Sequence, residues 1–286
     1  MSGGLTVAVA HRLALGRAPA QVIRMAAIET AFGRIGMTEN GGGPATPIVF
    51  LHGVGSDKSV WAPQLEHFGH TRRALAFDYP GYGESDLVAD ATRDDFATAI
   101  LAGLDALGVE RAHICGLSLG GVIAIAMHAA APERCASLIL ADTFAVHPEG
   151  QAIHDRSVDA SRNAGMREIA EQRVSALLAP ATSGEIRSDV IETMSAIDPE
   201  AYRLGARAVW LADQRERVTA IEVPTLVIVG TLDAITPPSL SDELASLIGG
   251  ARVERMEDAS HLANLDRPDE FNRLVDEFLW QTEAKA

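Results

Sequence analysis

Short, uninterrupted apolar runs recur along this chain, each followed by a turn and a helical stretch, and they restrict its fold more than any other feature. A strand buried on both faces of a parallel sheet shows no polar alternation, because neither face meets water. The clearest run is Ile48, Val49, Phe50 and Leu51; residues 74–77, 114–115, 138–140 and 226–229 read the same way. Residues 251–256 are more polar and suit an edge strand, and residues 27–30 and 34–37 flank Phe32 and Gly33 as a hairpin. Between the runs, Phe96, Ile100, Leu101, Leu104 and Leu107 recur at helical spacing, as do Phe271, Leu274, Val275, Phe278 and Leu279. Alternating strand and helix predicts an α/β architecture with a mostly parallel sheet covered on both sides.

One segment breaks the alternation. Residues 143–218 contain no convincing strand but several amphipathic helical stretches, at 166–178, 188–197 and 201–211, punctuated by Pro180 and Pro199. A helical insertion between two sheet strands reads as a lid. With 286 residues the chain accommodates one large core plus that insertion. The expected organisation is an N-terminal extension over 1–26, a first core part over 27–142, the lid over 143–218 and a second core part over 219–286.

Charge and cysteine content narrow the partners. The net charge of −15, from 39 acidic and 24 basic side chains, argues against nucleic acid or an anionic membrane as the main partner. No apolar run approaches the roughly 18 residues that span a bilayer. Cys115 and Cys135 form neither a disulfide framework nor a metal-ligand spacing, and no glycine-rich loop fits a dinucleotide, so neither a cofactor nor a metal is expected. Residues 1–28 carry Arg12, Arg17 and Arg24 and no acid, a bias that mildly resembles transit peptides, yet their apolar run 5–10 is short for a secretory signal. The expectation is an extension outside the fold of a cytoplasmic protein that acts on a small molecule, with its oligomeric state left open.

The chemistry concentrates at Gly116-Leu117-Ser118-Leu119-Gly120-Gly121, which follows the strand-like run at 114–115 and precedes the helix-like stretch 122–131. A serine on a sharp strand-to-helix turn needs neighbours nearly free of side chains, and Gly116 and Gly120 supply the room. The helix beginning there directs its free N–H groups at the serine, where they can stabilise an oxyanion. Serine is a weak nucleophile at neutral pH, so Ser118 requires a base, and the base an orienting carboxylate. Asp233 follows the run 226–229, where a strand end delivers it to the face that carries Ser118, and His261 follows the last strand. Asp142, at the end of the run 138–140, is the competing acid. Among the other histidines, His67, His70, His128, His147 and His154 read as surface or lid residues, and His52 as a brace for its own loop.

With Ser, Asp and His in that order, the chain resembles a lid-bearing α/β-hydrolase from about Ala27 to its C-terminus. His52-Gly53-Val54-Gly55-Ser56 is similar to the family's His-Gly oxyanion loop, which implies Val54 as one backbone donor and Leu119 as the other. Asp78-Tyr79-Pro80-Gly81-Tyr82-Gly83-Glu84-Ser85 resembles the family's Asp-x-x-Gly-x-Gly-x-Ser loop, which is structural. Asp233 lies in the family's Gly-x-x-Asp-x-x-x-Pro pattern. Residues 61–65, 106–113 and 131–134 look most like 3-oxoadipate enol-lactonases and neighbouring bacterial hydrolases of aromatic breakdown. The resemblance implies a serine hydrolase of a small ester or lactone that works through an acyl-enzyme. Two alternatives remain: a carbon–carbon bond hydrolase of ring-cleavage products, and a non-catalytic ligand receptor on the same fold. The lid aromatics Phe144, Tyr202 and Trp210 are a thin lining for a lipase-like channel, and Arg162, Arg203 and Arg207 offer either solvated faces or a grip on a substrate carboxylate.

Overall fold

The computed structural model describes residues 24–284. Its strands are β1 (Arg24–Thr30), β2 (Gly33–Asn40), β3 (Ala45–Leu51), β4 (Arg72–Phe77), β5 (Ala112–Leu117), β6 (Cys135–Ala141), β7 (Thr225–Gly230) and β8 (Arg252–Met256). They form one sheet in the order β1-β2-β4-β3-β5-β6-β7-β8, parallel from β4 to β8 and closed at its first edge by the antiparallel β1–β2 hairpin. The central strands β5, β6 and β7 are buried at every position, which is why their sequences show no alternation. The outermost strands β1 and β8 retain exposed positions.

Helices cover the sheet: α1 (Ala62–Phe68), α2 (Arg93–Ala106) and α3 (Leu119–Ala130) in the first half; α9 (Pro238–Leu247), α10 (Ala263–Asp266) and α11 (Pro268–Glu283) in the second. A reciprocal capping box between Thr92 and Asp95 starts α2. The most enclosed helix, α3, packs on β3, β5 and β6 beneath α2 and the helix Pro199–Trp210, and is buried from Leu119 through His128. That enclosure corrects the expectation of an exposed His128, whose burial lowers its pKa.

Between β6 and β7 the chain forms α4 (Gly150–Asn163), α5 (Met166–Leu177), α6 (Gly184–Ser195), α7 (Pro199–Trp210) and α8 (Arg215–Val218). No strand interrupts this insertion. Helix α4 escaped the periodicity because the residues it buries are Gly150, Ser157 and Ser161 rather than an apolar stripe. The aromatics Phe144, Tyr202 and Trp210 are all buried, with Phe144 and Trp210 stacked at 5.9 Å.

At the N-terminus the hairpin is longer than the sequence suggests. Arg24, Met25 and Ala26 continue the ladder opposite Glu39, Thr38 and Met37, so the expected end of the extension at 26 falls inside β1; residues 1–23 of that extension lie outside the described residues. No helix among the described residues is long and apolar enough to cross a membrane.

Candidate active site

The carboxyl-terminal edge of a parallel sheet gathers the loops that leave its strands. Here that edge collects Val54 after β3, Ser118 after β5, Asp233 after β7 and His261 after β8. Ser118 caps α3 with φ 56° and ψ −115°, a strained conformation for a residue with a side chain. Its surroundings enforce the strain. The Ser118 amide donates to the Ala141 carbonyl at 2.9 Å, and Thr143 Oγ1 donates to the Ser118 carbonyl at 2.9 Å.

The glycines around it are a packing requirement. A Cβ on Gly116 would lie 2.2 Å from the Gly120 carbonyl oxygen, one on Gly120 2.0 Å from the Leu51 carbonyl oxygen, and one on Gly121 2.5 Å from the Thr143 methyl. Gly121 thus has a reason that the motif alone did not supply.

The loop carrying Val54 is held from below. Tyr79 donates to the His52 carbonyl at 3.0 Å and Tyr82 to the Val54 carbonyl at 3.2 Å, while the His52 Nδ1–H donates to the Gly53 carbonyl at 2.8 Å. Burial lowers the His52 pKa and leaves its ring neutral, wedged against Tyr79 and Tyr82. His52 braces its loop, as expected. Under the loop, Lys58 Nζ meets the buried Asp78 carboxylate at 2.6 Å, tying it to the segment that carries both tyrosines. Among the described residues, no protein carbonyl takes the Val54 or Leu119 amide hydrogen.

Asp233 and His261 meet directly: His261 Nδ1 lies 2.9 Å from Asp233 Oδ2. Thr236 Oγ1 donates to the same oxygen at 2.6 Å, and the Ile235 and Thr236 amides donate to Oδ1 at 2.8 and 3.0 Å. Burial pushes the Asp233 pKa up, but the His261 charge and the hydrogen bonds from His261 and Thr236 outweigh it, so the carboxyl stays below its ordinary value. Asp142 is different. It is fully buried at φ 46°, its Oδ1 accepts the Gly230 amide at 2.9 Å, and its Oδ2 has no partner. Burial, reinforced by the charge of Asp233, raises its pKa well above the ordinary carboxylate value.

Ser118 and His261 share one small cavity without a hydrogen bond between them, and Ser118 Oγ has no partner. The cavity measures about 10 Å³, room for roughly one water. Gly53, Val54 and Leu117 wall it from the sheet side, and Arg173, Leu177 and Met194 wall it from the insertion.

Sequence reasoning missed Arg173. Its Nη1 donates to the Tyr202 hydroxyl at 3.2 Å, its buried Nε has no partner, and no carboxylate among the described residues pairs with it. The signal was present: Arg173 lies four residues after Ile169, three after Ala170 and four before Leu177, all buried on α5, so the cation interrupts an apolar stripe.

The arginines singled out from sequence lie elsewhere. Arg162, Arg203 and Arg207 line a surface cleft with Asp90, His154 and Glu200, away from Ser118. Arg203 pairs with Glu200, and Arg207 donates to the Asp90 and Ala91 carbonyls at 2.8 and 3.1 Å. Both thiols are buried and poor nucleophiles: burial raises Cys115 well above its ordinary value and Cys135 to about 12. Among the described residues no cluster of His, Cys, Asp and Glu could hold a metal ion.

Residues 48–274 match the model of the alpha/beta hydrolase family. The chain is 28% identical over 242 residues to 3-oxoadipate enol-lactonase 1 of Acinetobacter baylyi, covering 84% of this chain and 91% of that one. The crystal structure of the enol-lactonase from Burkholderia xenovorans superposes with a TM-score of 0.82 at 28% identity, covering 88% of this chain and 99% of that one. A thermophilic esterase from Thermogutta terrifontis, solved with malate bound, gives a TM-score of 0.82 at 27% identity and covers 90% and 98%.

Proposed function

The chain belongs to the alpha/beta hydrolase family, and from that premise we propose that it is a serine hydrolase of a small ester or lactone that works through an acyl-enzyme on Ser118. The observation that carries the reading is the His261–Asp233 contact at 2.9 Å beside a cavity shared by His261 and a serine hydroxyl that nothing else engages.

In this reading Asp233 fixes the tautomer with the proton on Nδ1, which leaves Nε2 free to take the Ser118 proton as Oγ attacks the carbonyl carbon. Negative charge builds on the carbonyl oxygen, and the Val54 and Leu119 amides, committed to no other acceptor, are the donors that receive it. The protonated His261 then returns its proton to the departing alkoxide. A lactone keeps that alcohol on the acyl group; an ester releases it. Water, deprotonated by His261, frees the acid and restores Ser118.

Residues 143–218 act as the lid. From that lid Arg173 brings a guanidinium without a carboxylate partner to the cavity wall, which favours a substrate bearing one carboxylate over a long acyl chain.

Ser118→Ala tests the nucleophile. Turnover of a short p-nitrophenyl ester should fall by about 10⁴-fold or more, and covalent labelling by a fluorophosphonate should vanish in a protein that still folds. Labelling that persists in the variant would sink the assignment.

A further inference from the structure

The insertion reaches the site through a side chain that the reaction does not use. Met194, near the end of α6, is fully buried and lines the cavity over Ser118. Its terminal methyl lies against the backbone of Gly55, the residue after Val54, and a Cβ built on Gly55 would fall 1.9 Å from that methyl. Gly55 has no positive φ, so backbone conformation does not demand a glycine there; the three atoms nearest the added carbon all belong to Met194. The thioether therefore fills the volume above the oxyanion loop that a substrate group would otherwise occupy. With about 10 Å³ left free, a carbonyl compound reaches Ser118 only if part of the cavity wall gives way, and Met194 is the wall residue packed on Gly55. Methionine suits the task, since its unbranched chain changes rotamer readily.

We propose that Met194 is the specificity-determining residue of this pocket: a movable plug over Gly55 that sets the largest substrate group the enzyme accepts beside its oxyanion loop. The inference rests on the reading of Ser118 as the nucleophile. Arg173, on the same wall, contributes charge; Met194 contributes size.

The test compares kcat/KM for p-nitrophenyl acetate and hexanoate in the parent, Met194→Ala, Gly55→Ala and the double variant, each first titrated with a fluorophosphonate. Met194→Ala should raise the hexanoate-to-acetate ratio about tenfold, a typical effect of apolar volume in a pocket. In the double variant the methyl introduced by Gly55→Ala refills the vacated space, so the ratio should drop back toward that of the parent. Gly55→Ala alone drives the thioether into the cavity and should lower the ratio by a similar factor. Where Met194→Ala does not fold, that single variant carries the test, because only the far end of a flexible side chain has to move for it to fold. An unmoved ratio in labelled, folded variants overturns the proposal, and so does a rise that Gly55→Ala fails to reverse, which marks general loosening. A parent that takes no label overturns the hydrolase reading itself.

Discussion

At the scale of single residues, two buried aspartates stand at adjacent strand ends with pKa values shifted in opposite directions. The contact with His261 holds Asp233 below its ordinary value, whereas burial raises Asp142, which serves as an acceptor for the Gly230 amide. Asp233→Asn should therefore reduce kcat by about 10⁴-fold through the wrong histidine tautomer. Asp142→Asn keeps the acceptor for the Gly230 amide, and Asp142 makes no hydrogen bond to His261, so kcat should change by less than about tenfold. Steady-state kinetics of the two variants decide the matter; reversed severities would place the acid after β6. Arg173 is read the same way. Arg173→Gln should raise KM for a carboxylate-bearing enol lactone by about 10- to 100-fold, the worth of a charge-assisted hydrogen bond, and leave neutral short esters nearly unchanged. Equal losses on both substrates would refute the assignment. The catalytic candidates were legible in sequence because each closes a strand-like run. Arg173 was not, since an arginine in a helical pattern is taken for a solvent-facing residue unless the stripe it interrupts is noticed.

Elements were legible to different degrees for physical reasons. Strands β5, β6 and β7 stood out because burial on both faces removes polar residues from them. Helix α4 stayed hidden because what it buries is small and polar. The contact between the oxyanion loop and α6 joins Gly55 to Met194, a separation no local pattern reports. The junction of β3, β5 and α3 yields its own expectation. Gly120→Ala sets a methyl 2.0 Å from the Leu51 carbonyl oxygen, where only backbone can yield. Overpacking of this kind costs about 1–3 kcal/mol and should lower Tm by roughly 5 °C. Gly42→Ala, in a loop where an added methyl meets nothing within 4 Å, is the control and should leave Tm nearly unchanged. Equal melting of the two variants would mean that the junction around Gly120 packs more loosely than described.

Across the whole molecule, the end of the chain is fastened to its first half on the side of the sheet away from the site. Glu283, the last residue of α11, accepts from Arg72 of β4 at 2.7 Å and approaches His113 of β5 at 3.2 Å. Burial dominates at His113 and, against the opposing pull of Glu283, lowers its pKa from 6.5 to about 4. The unfolded chain binds this proton below pH 6.5 and the folded one only near pH 4, so stability is complete above 6.5 and is lost as pH falls through that window. The loss is on the order of 3 kcal/mol. His113→Gln should flatten the decline of Tm between those pH values, and an unchanged slope would exclude His113 as its source.

The small cavity has a kinetic consequence at this scale. With about 10 Å³ free above Ser118, the proposed plugging by Met194 would restrict productive encounters to the fraction of molecules in which that side chain has yielded. The intrinsic dissociation constant is divided by that fraction, so an open population of about one per cent makes a substrate bind about 100-fold more weakly than its contacts warrant. Substitutions that merely favour opening would then tighten apparent binding without adding a contact, and selectivity would be traded for occupancy.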